Sequence, residues 1–436
     1  MHLKITIEID ERQAGIVEKE LSGTAEQIEE LTREATQRTG RVVLETSLQQ
    51  VEEACCVPDC CCRRMESRGQ RTLTLVSTFG PLKVSRRRYR CSHCGEETYP
   101  MDTQWRCGRH LMTRPLAKRV CQLATSNHFP QLPGLLMDQH GIALQHEAML
   151  QLVHDVGGVA ESQRRLEAEL RVCRSPELGQ QIPPEVQAQR VCVSCDGIMY
   201  CTNRTEEASD RPGSKRLIWQ QMKVGCVYWQ DAQEKWHKQL VWGRESPAEF
   251  GASLFEVACR CGYLQAKEKL FASDGGTWCW DIQARYFHDA QGILDYYHAS
   301  EHVWEAARQV NQGDTQTKEW AKEALDQLWS GGATELMSWL EQKILSRRGK
   351  PRAALESLRD YVTQHKDHMN YSDYRKAGWP IGTGIMESSC KQLVGLRLKG
   401  PGMHWTEEGA LAVTALRTIE LNQKWHHFWD SLVLTA

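Results

Sequence analysis

The spacing of apolar residues along the chain predicts an order of strands and helices. Near the N-terminus a short strand precedes amphipathic helices, since residues 18–35 (EKELSGTAEQIEELTREA) show the helical period. Residues 72–90 alternate apolar and polar positions around Phe79–Pro81, which predicts a β-hairpin with its turn there. Further on, the pattern predicts a helix, a tight turn at Gly141 and a second helix from about Leu144. This order is typical of a DNA-binding helix-turn-helix, but a plain helical hairpin that packs on the next domain has the same pattern.

From residue 189 the pattern becomes that of an α/β domain. A first strand (QRVCVSCDG) ends at Asp196, two more strands rich in aromatic and β-branched residues follow, and a helix begins at Pro247. A fourth, short apolar strand stops at Asp274, and two glycines follow it. The element order, with an aspartate at the ends of the first and fourth strands, is that of an RNase H-like core. Residues 302–365 return to the helical period.

Length and hydropathy limit the class of protein. A chain of 436 residues is too long for one core, so we expect two or three domains. No run of about 18 apolar residues is present, so we expect no membrane span. The N-terminal residues MHLKITIEIDERQ lack the basic and apolar regions of a signal peptide, so we expect a cytoplasmic protein.

Charge is distributed unevenly within a nearly neutral chain. Residues 1–60 carry 6 Lys and Arg against 13 Asp and Glu, whereas residues 61–120 carry 14 against 4. A basic block of this kind is typical of a module that binds a polyanion such as DNA, although it is also compatible with a merely solvated surface.

The cysteine pattern favours a metal site over disulfides. Eighteen cysteines in a large chain without an export signal are expected to be thiols or metal ligands. Cys91 and Cys94 have the spacing of a zinc knuckle, and we predict Cys56 and Cys60 as the second pair of a structural zinc site. Three neighbours compete for these positions: Cys55, Cys61 and Cys62.

The two strand-end aspartates indicate metal-dependent phosphodiester chemistry. Cleavage by two Mg²⁺ ions about 4 Å apart requires several carboxylates at one point, because magnesium prefers hard oxygen ligands. Asp196 and Asp274 would supply half of such a site, and a third carboxylate would arrive from outside the sheet. Either Asp-Gly alone is more typical of a turn or helix cap.

Longer motifs carry a family resemblance. They are CDG at 195–197, ASDGGTW at 272–278, ILDYYHASEHVW at 293–304, GTGIMESSCKQLVGLRLKGPGMHW at 382–405 and the C-terminal LNQKWHHFW. From about residue 50 to 430 the chain resembles the DDE transposases of the Kra-type bacterial insertion sequences, relatives of the Mutator-like group. The resemblance implies a metal-binding triad of Asp196, Asp274 and Glu387, with Mg²⁺ or Mn²⁺ as the cofactor.

The resemblance also implies roles for other segments. Asp295-x2-His298 corresponds to a motif beside the active site, and His298 could position or polarise the scissile phosphate. The alternatives are a helix N-terminus capped by Asp295, or a zinc site that includes His298 and His302. Taken together, the sequence patterns and the resemblance predict a helical N-terminal segment (1–53), a Cys-rich hairpin resembling a zinc ribbon (54–110), a helix-turn-helix-like region (111–160), a helix and linker (161–188), the first part of an RNase H-like core (189–300), an all-α insertion (301–378), and a core completion with the Glu387 helix and C-terminal helices (379–436).

The function implied is cleavage and strand transfer of DNA. The partners would be the element's terminal inverted repeats and target DNA, bound by a homo-oligomer. The protein would be cytoplasmic and associated with the nucleoid. The DNA contacts expected from basic residues are Arg86, Arg87, Arg88, Lys391, Arg397 and Lys399. A catalytically silent or domesticated DNA-binding protein, or a stand-alone RNase H-like nuclease, would be the alternative.

Residues 381–391 (IGTGIMESSCK) allow two interpretations. Glycines at 382 and 384 are compatible with a phosphate-binding loop, but the Gly-Lys-Ser/Thr of a P-loop is missing. They are better explained as a hinge before the helix that carries Glu387. A glutamate in the first turn of a helix is favoured by the helix dipole even without a metal.

Overall fold

The structure, a computed structural model, describes residues 1–172, 186, 188–207, 213–231 and 233–434. Most of the predicted linker before residue 188 lies outside the described residues. The chain divides into two compact units, Met1–Ala160 with Leu411–Ala436, and Glu161–Ala410. No described helix is both long and apolar enough to cross a membrane.

The first unit begins with a β-hairpin. Strands β1 (His2–Ile9) and β2 (Arg12–Glu20) pair in antiparallel, and the two residues between them take left-handed backbone angles. One continuous helix, α1 (Ala25–Ala54), follows. The short strand predicted at the N-terminus is present as β1, but the prediction that helix follows directly is wrong, because residues 12–20 form a second strand. Charged residues on the outer face of β2 imitate the start of a helix, but its apolar residues contact α1.

The Cys-rich part folds as short strands and a long hairpin. Strands β3 (Asp59–Cys60) and β4 (Arg63–Arg64) form one small sheet. A second sheet has the order β5-β6-β7, in which β5 (Glu66–Ser77) and β6 (Gly80–Arg90) form the predicted hairpin and β7 (Glu97–Thr98) pairs with the end of β6. The turn residues are Thr78 and Phe79, so the turn overlaps the predicted one at Phe79 and begins one residue earlier.

Helix α1 covers the outer edge of β6. Side-chain oxygens on successive turns of α1 accept hydrogen bonds from alternate backbone N–H groups of β6: Glu45 from Lys83, Gln49 from Ser85 and Glu52 from Arg87. An open strand edge would otherwise expose these donors. The acidic N-terminal segment therefore packs directly on the basic hairpin, and part of the charge asymmetry is used within the fold.

Helices α2 (Asp102–Trp105), α3 (Arg114–Ser126) and α4 (Leu132–His140) follow in this unit, and α5 (His146–Val172) begins in it and continues past Ala160. Gly141 ends α4 in the left-handed conformation that favours glycine, with φ of 63°. The predicted helix, turn and helix are thus present, with the second helix starting at His146.

The second unit contains a five-stranded sheet. Its order is β10-β9-β8-β11-β12, where β8 (Arg190–Glu207), β9 (Lys215–Gln230) and β10 (Trp236–Gly243) are antiparallel, and β11 (Glu268–Ser273) and β12 (Gln291–Leu294) run parallel to β8. Helices α6 (Pro247–Arg260) and α7 (Thr277–Tyr286) connect its strands and share a core with the sheet. The predicted order of three strands, a helix and a strand is confirmed.

The remaining elements are helical. They are α8 (Tyr296–Val310), α9 (Asp314–Leu345, kinked at Gly332), α10 (Gly349–His365), α11 (Tyr371–Lys376), α12 (Gly384–Cys390), α13 (Leu396–Leu398), α14 (Glu407–Leu421) and α15 (Trp425–Ser431). A π-helical turn, Lys391–Gly395, joins α12 to α13. Such turns occur frequently at functional sites.

Candidate functional site

Three aspartates lie at one edge of the five-stranded sheet. The parallel pairing of β8 with β11 ends at Ser194, and Asp196 lies two residues beyond it. Asp274 follows the last residue of β11, and Asp295 follows the last residue of β12. Because the carboxyl ends of parallel strands meet at the same edge, the three carboxylates belong to one region of the fold.

Asp196 does not end its strand, contrary to the prediction. Strand β8 continues to Glu207 because its antiparallel pairing with β9 runs past the aspartate, with Asp196 opposite Val224. Gly197 is a strand residue here, and the side chain of Gln221 fills the space that a Cβ would need, 2.2 Å away. The glycine therefore allows close cross-strand packing and does not mark a turn.

The charge of Asp274 acts on the carboxyl of Asp196. Burial and then the charge of Asp274 raise the pKa of Asp196, while contacts from Gly197 and Cys390 oppose this rise. The Cys390 thiol lies 3.9 Å from Asp196 Oδ2. Within the described residues, no ion pair joins Asp196 or Asp274 to a lysine or arginine. Two neighbouring acids that form no ion pair with a described lysine or arginine make a local excess of negative charge.

Asp274 is held by the turn that follows β11. Its Oδ1 accepts hydrogen bonds from the Gly276 N–H at 3.2 Å and from the Ser273 hydroxyl at 3.3 Å. Gly275 has φ of 108°, and a Cβ there would lie 3.2 Å from the Leu294 side chain and 3.7 Å from His365 Nε2. The backbone conformation therefore favours glycine after the aspartate, and a Cβ would also be tight against Leu294.

Glu387 lies on a helix that packs against the same strands. Helix α12 contacts β8 and β9, and Cys390, one turn after Glu387, reaches Asp196. Glu387 itself is exposed. Among the described residues, the implied triad of Asp196, Asp274 and Glu387 does not form a group whose ligand atoms all lie within 4.8 Å of one another. The structure brings the two aspartates together and places the helix of the third acid beside them.

Asp295 holds the loop that leads to this helix. Its Oδ1 accepts from the N–H groups of Tyr297 and His298 at 2.6 and 3.1 Å, which caps α8. Its Oδ2 accepts from the Thr383 N–H at 2.6 Å and from the Thr383 hydroxyl. The side chain is only 6% exposed. The capping role considered from the sequence is confirmed, and the bond to Thr383 shows that Asp295 also ties the Glu387 helix to the sheet edge.

Replacing Asp295 with asparagine should destabilise the second unit. The amide group would place a donor against the Thr383 donors or lose the α8 cap, so we expect a loss of about 2–4 kcal/mol in the free energy of unfolding. Urea denaturation measures it, with the exposed Asp326→Asn as the matched control. Equal unfolding free energies for the two variants would contradict the stabilising role of the hydrogen bonds that Asp295 accepts.

The histidines of the implied motif lie beside the acids. His298 lies 3.6 Å from Glu301, and its charge lowers the pKa of Asp196, so it is close enough to act on that carboxylate. The ring of His302 lies 5.1 Å from that of His298 and 4.0 Å from that of Tyr361. No group of three metal ligands in the described part of the chain includes these histidines, so their alternative role as a zinc pair has no third ligand.

The predicted DNA contacts differ in availability. Lys391 and Lys399 are exposed. Arg397 is 1% exposed and lies over the Trp405 ring, so the prediction that it belongs to an exposed basic rim is wrong. On the hairpin, Arg86 pairs with Asp102 and covers the Tyr99 ring. The two other predicted arginines are half-buried, Arg87 and Arg88, and the latter lies 3.7 Å from Glu97.

Four cysteines of the first unit form a compact group: Cys60, Cys61, Cys91 and Cys94, whose sulfurs all lie within 4.8 Å of one another. Cys60 Sγ lies 3.5 Å from Cys94 Sγ and 3.8 Å from Cys61 Sγ. A zinc ion with Zn–S bonds of about 2.3 Å holds its tetrahedral sulfurs about 3.8 Å apart. The spacing therefore fits zinc, and the four cysteines could hold such a metal.

The membership of the group corrects the prediction. Cys56 is exposed and lies outside it, and Cys61 takes its place. Cys61 and Cys62 are the central residues of the β3–β4 turn, and both have positive φ, which brings the Cys61 thiol beside Cys60. The backbone N–H groups of Cys94 and His93 lower the pKa of Cys91 to about 6, as expected of a knuckle that stabilises a thiolate.

Comparisons with known proteins do not identify a family for this chain. No protein-family model matches the chain, and no curated protein matches it. Among solved structures it is similar to a Drosophila P element transposase strand transfer complex, with 11% identity over 74% of this chain and 96% of that chain, and a TM-score of 0.34. A score and an identity this low do not establish a shared fold or function.

Proposed function

We propose that this chain is a DDE transposase of the Kra-type insertion-sequence family, with an RNase H-like core interrupted by an all-α insertion. It would bind the ends of its own element as a homo-oligomer. It would then cleave DNA and transfer the freed strand in a reaction that depends on Mg²⁺ or Mn²⁺.

One observation carries the proposal: Asp196 and Asp274 lie at the same carboxyl edge of β8 and β11, and the Glu387 helix packs beside Asp196. The order of the sheet, with three antiparallel strands followed by two parallel ones, is the topology expected of an RNase H-like core. The motif that contains Glu387 and the motif that contains Asp295 are joined by a partly buried hydrogen bond from the Thr383 N–H to Asp295 Oδ2. Motifs far apart in the sequence thus converge on one region.

The donor set fits a hard divalent cation. It consists of carboxylate oxygens, the ligands that magnesium prefers, and no lysine or arginine of the described residues neutralises them. Bound there, the metal would activate a nucleophile and stabilise charge on the phosphate. Asp196 and Asp274 would hold it, and Glu387 would complete the site after a local movement of α12. His298 would orient the phosphate.

DNA end recognition would belong to the first unit and its basic hairpin. Lys391 and Lys399 would contact the DNA backbone near the acids, since both are exposed on the segment that follows Glu387. Arg86 and Arg397 are not assigned this role, because each is engaged within the protein.

The test uses a duplex that contains the DNA bordering this coding sequence. With Mg²⁺, the wild-type protein should cut at the boundary of the element, and EDTA should stop cleavage. With Ca²⁺ in place of Mg²⁺, binding should persist in a gel-shift assay. Binding without metal-dependent cleavage would instead identify a catalytically silent DNA-binding protein and would refute the proposal.

A further inference from the structure

Helix α10 of the helical segment places two polar aromatic side chains next to the Asp274 turn. Tyr361 and His365 are one helical turn apart and share a face of α10. His365 is 4% exposed, and its Nε2 lies 3.7 Å from the point that a Cβ would occupy at Gly275. The face of α10 that carries Tyr361 therefore lies against the residue that follows Asp274.

The position of the Tyr361 ring is fixed on both sides. Its centroid lies 4.0 Å from the His302 ring, with 30° between the planes, and 4.9 Å from the His365 ring. Its hydroxyl is buried and has no hydrogen-bond partner in the described part of the chain. Buried hydroxyl groups are nearly always paired, so an unpaired one at this place requires an explanation.

Two carboxylates, those of Asp274 and Asp295, lie close enough for their charges to act on this hydroxyl. Burial, and then the charges of Asp274 and Asp295, raise the pKa of Tyr361, so the group stays a hydrogen-bond donor. Both oxygens of Asp295 already accept hydrogen bonds. From the residues that the structure describes, in contrast, Asp274 accepts hydrogen bonds only at Oδ1, and these are long, at 3.2 and 3.3 Å. Of these two acids, Asp274 is therefore the one whose second oxygen, Oδ2, accepts no hydrogen bond from the described residues.

We propose that Tyr361 is a positioning residue for Asp274: its hydroxyl donates a hydrogen bond to this carboxylate when a divalent cation is bound. The inference rests on the metal site of the proposed function and extends it to the helical segment. Carboxylates that bind metals are usually oriented by a second hydrogen bond, and loss of such a partner weakens metal binding by about 10–100-fold. The helical segment would then contribute to metal binding, because its Tyr361 orients the carboxylate of Asp274.

The test is a calorimetric titration with Mn²⁺ on the full-length protein, with its cysteine site filled by Zn²⁺. Tyr361→Phe should weaken Mn²⁺ binding by at least about tenfold. It should leave the melting temperature unchanged, since the change removes only an unpaired hydroxyl. Tyr371→Phe is the matched control, because the Tyr371 hydroxyl is also buried and has no described partner. It should bind Mn²⁺ as the wild type does.

A double-variant cycle separates positioning from general packing. In an Asp274→Asn background, Tyr361→Phe should weaken Mn²⁺ binding no further, since the two residues act through one bond. Equal affinity of Tyr361→Phe and the wild type would overturn the inference, as would an equal loss in Tyr371→Phe. If Asp196→Asn and Asp274→Asn both bind Mn²⁺ as tightly as the wild type, the metal site itself, and with it the proposed function, is refuted.

Discussion

Asp196→Asn should abolish magnesium-dependent cleavage of element-end DNA and leave DNA binding intact. Asparagine has the shape of aspartate but lacks the charge that holds a divalent cation, so we expect the cleavage rate to fall by about 10³-fold or more. Cleavage is measured on the end duplex, and binding is measured by gel shift with Ca²⁺. Asp281→Asn, an identical change at an exposed position of α7, should cleave as the wild type does.

Stability distinguishes lost chemistry from lost folding. The pKa of Asp196 is raised by burial and then by the charge of Asp274, so ionisation of this carboxyl opposes folding. Its contribution to stability is present below its unfolded pKa and is lost as the pH rises through its raised, folded pKa. At pH 7 Asp196→Asn should therefore melt at the same temperature as the wild type or higher. Unchanged cleavage, or a lower melting temperature that accounts for the loss, would contradict the assigned role.

The sequence predicts the frame of this site better than its contacts. Asp274 stands at the end of a short apolar strand in both the pattern and the structure. Asp196 is different, because an Asp-Gly pair indicates a turn, whereas β9 continues to pair with β8 beyond it. The pattern of one strand cannot reveal how far its partner extends. The bond from Asp295 to Thr383, 88 residues away, could not be predicted for the same reason.

The number of basic residues in the sequence also exceeds the number of basic side chains that are exposed for contact with DNA. The basic block at 61–120 suggests a continuous surface, yet Arg86 pairs with Asp102, and α1 lies along the edge of β6. Arg397 stands in a glycine- and lysine-rich stretch but is buried under Trp405. Composition counts charges, whereas the fold decides which of them face water. DNA contacts are therefore better sought among exposed residues such as Lys391.

The replacement of Cys56 by Cys61 in the predicted set of zinc ligands can be tested directly. If zinc binds there, Cys61→Ser should lose most of it, because Cys61 is one of the four grouped sulfurs, whereas Cys56→Ser should keep an equimolar amount. Zinc content is measured after gel filtration against a weak chelator. Retention of zinc in Cys61→Ser and its loss in Cys56→Ser would restore the pair predicted from the sequence.

If the four cysteines bind zinc, its removal should unfold the Cys-rich part of the first unit. Strands β3 and β4 have two residues each, too few to be stable alone, and their turn holds two cysteines at positive φ. Zinc binding in small domains is worth about 10–16 kcal/mol at neutral pH, enough to hold such a turn. A strong chelator should therefore expose the amides of residues 57–65 to hydrogen exchange.

Neighbouring thiols raise the pKa of Cys60 to about 12 and also raise that of Cys61, so zinc binding must release the protons of these two thiols. Zinc affinity should consequently increase with pH, and an affinity that stays constant from pH 6 to 8 would contradict ligation by these thiols.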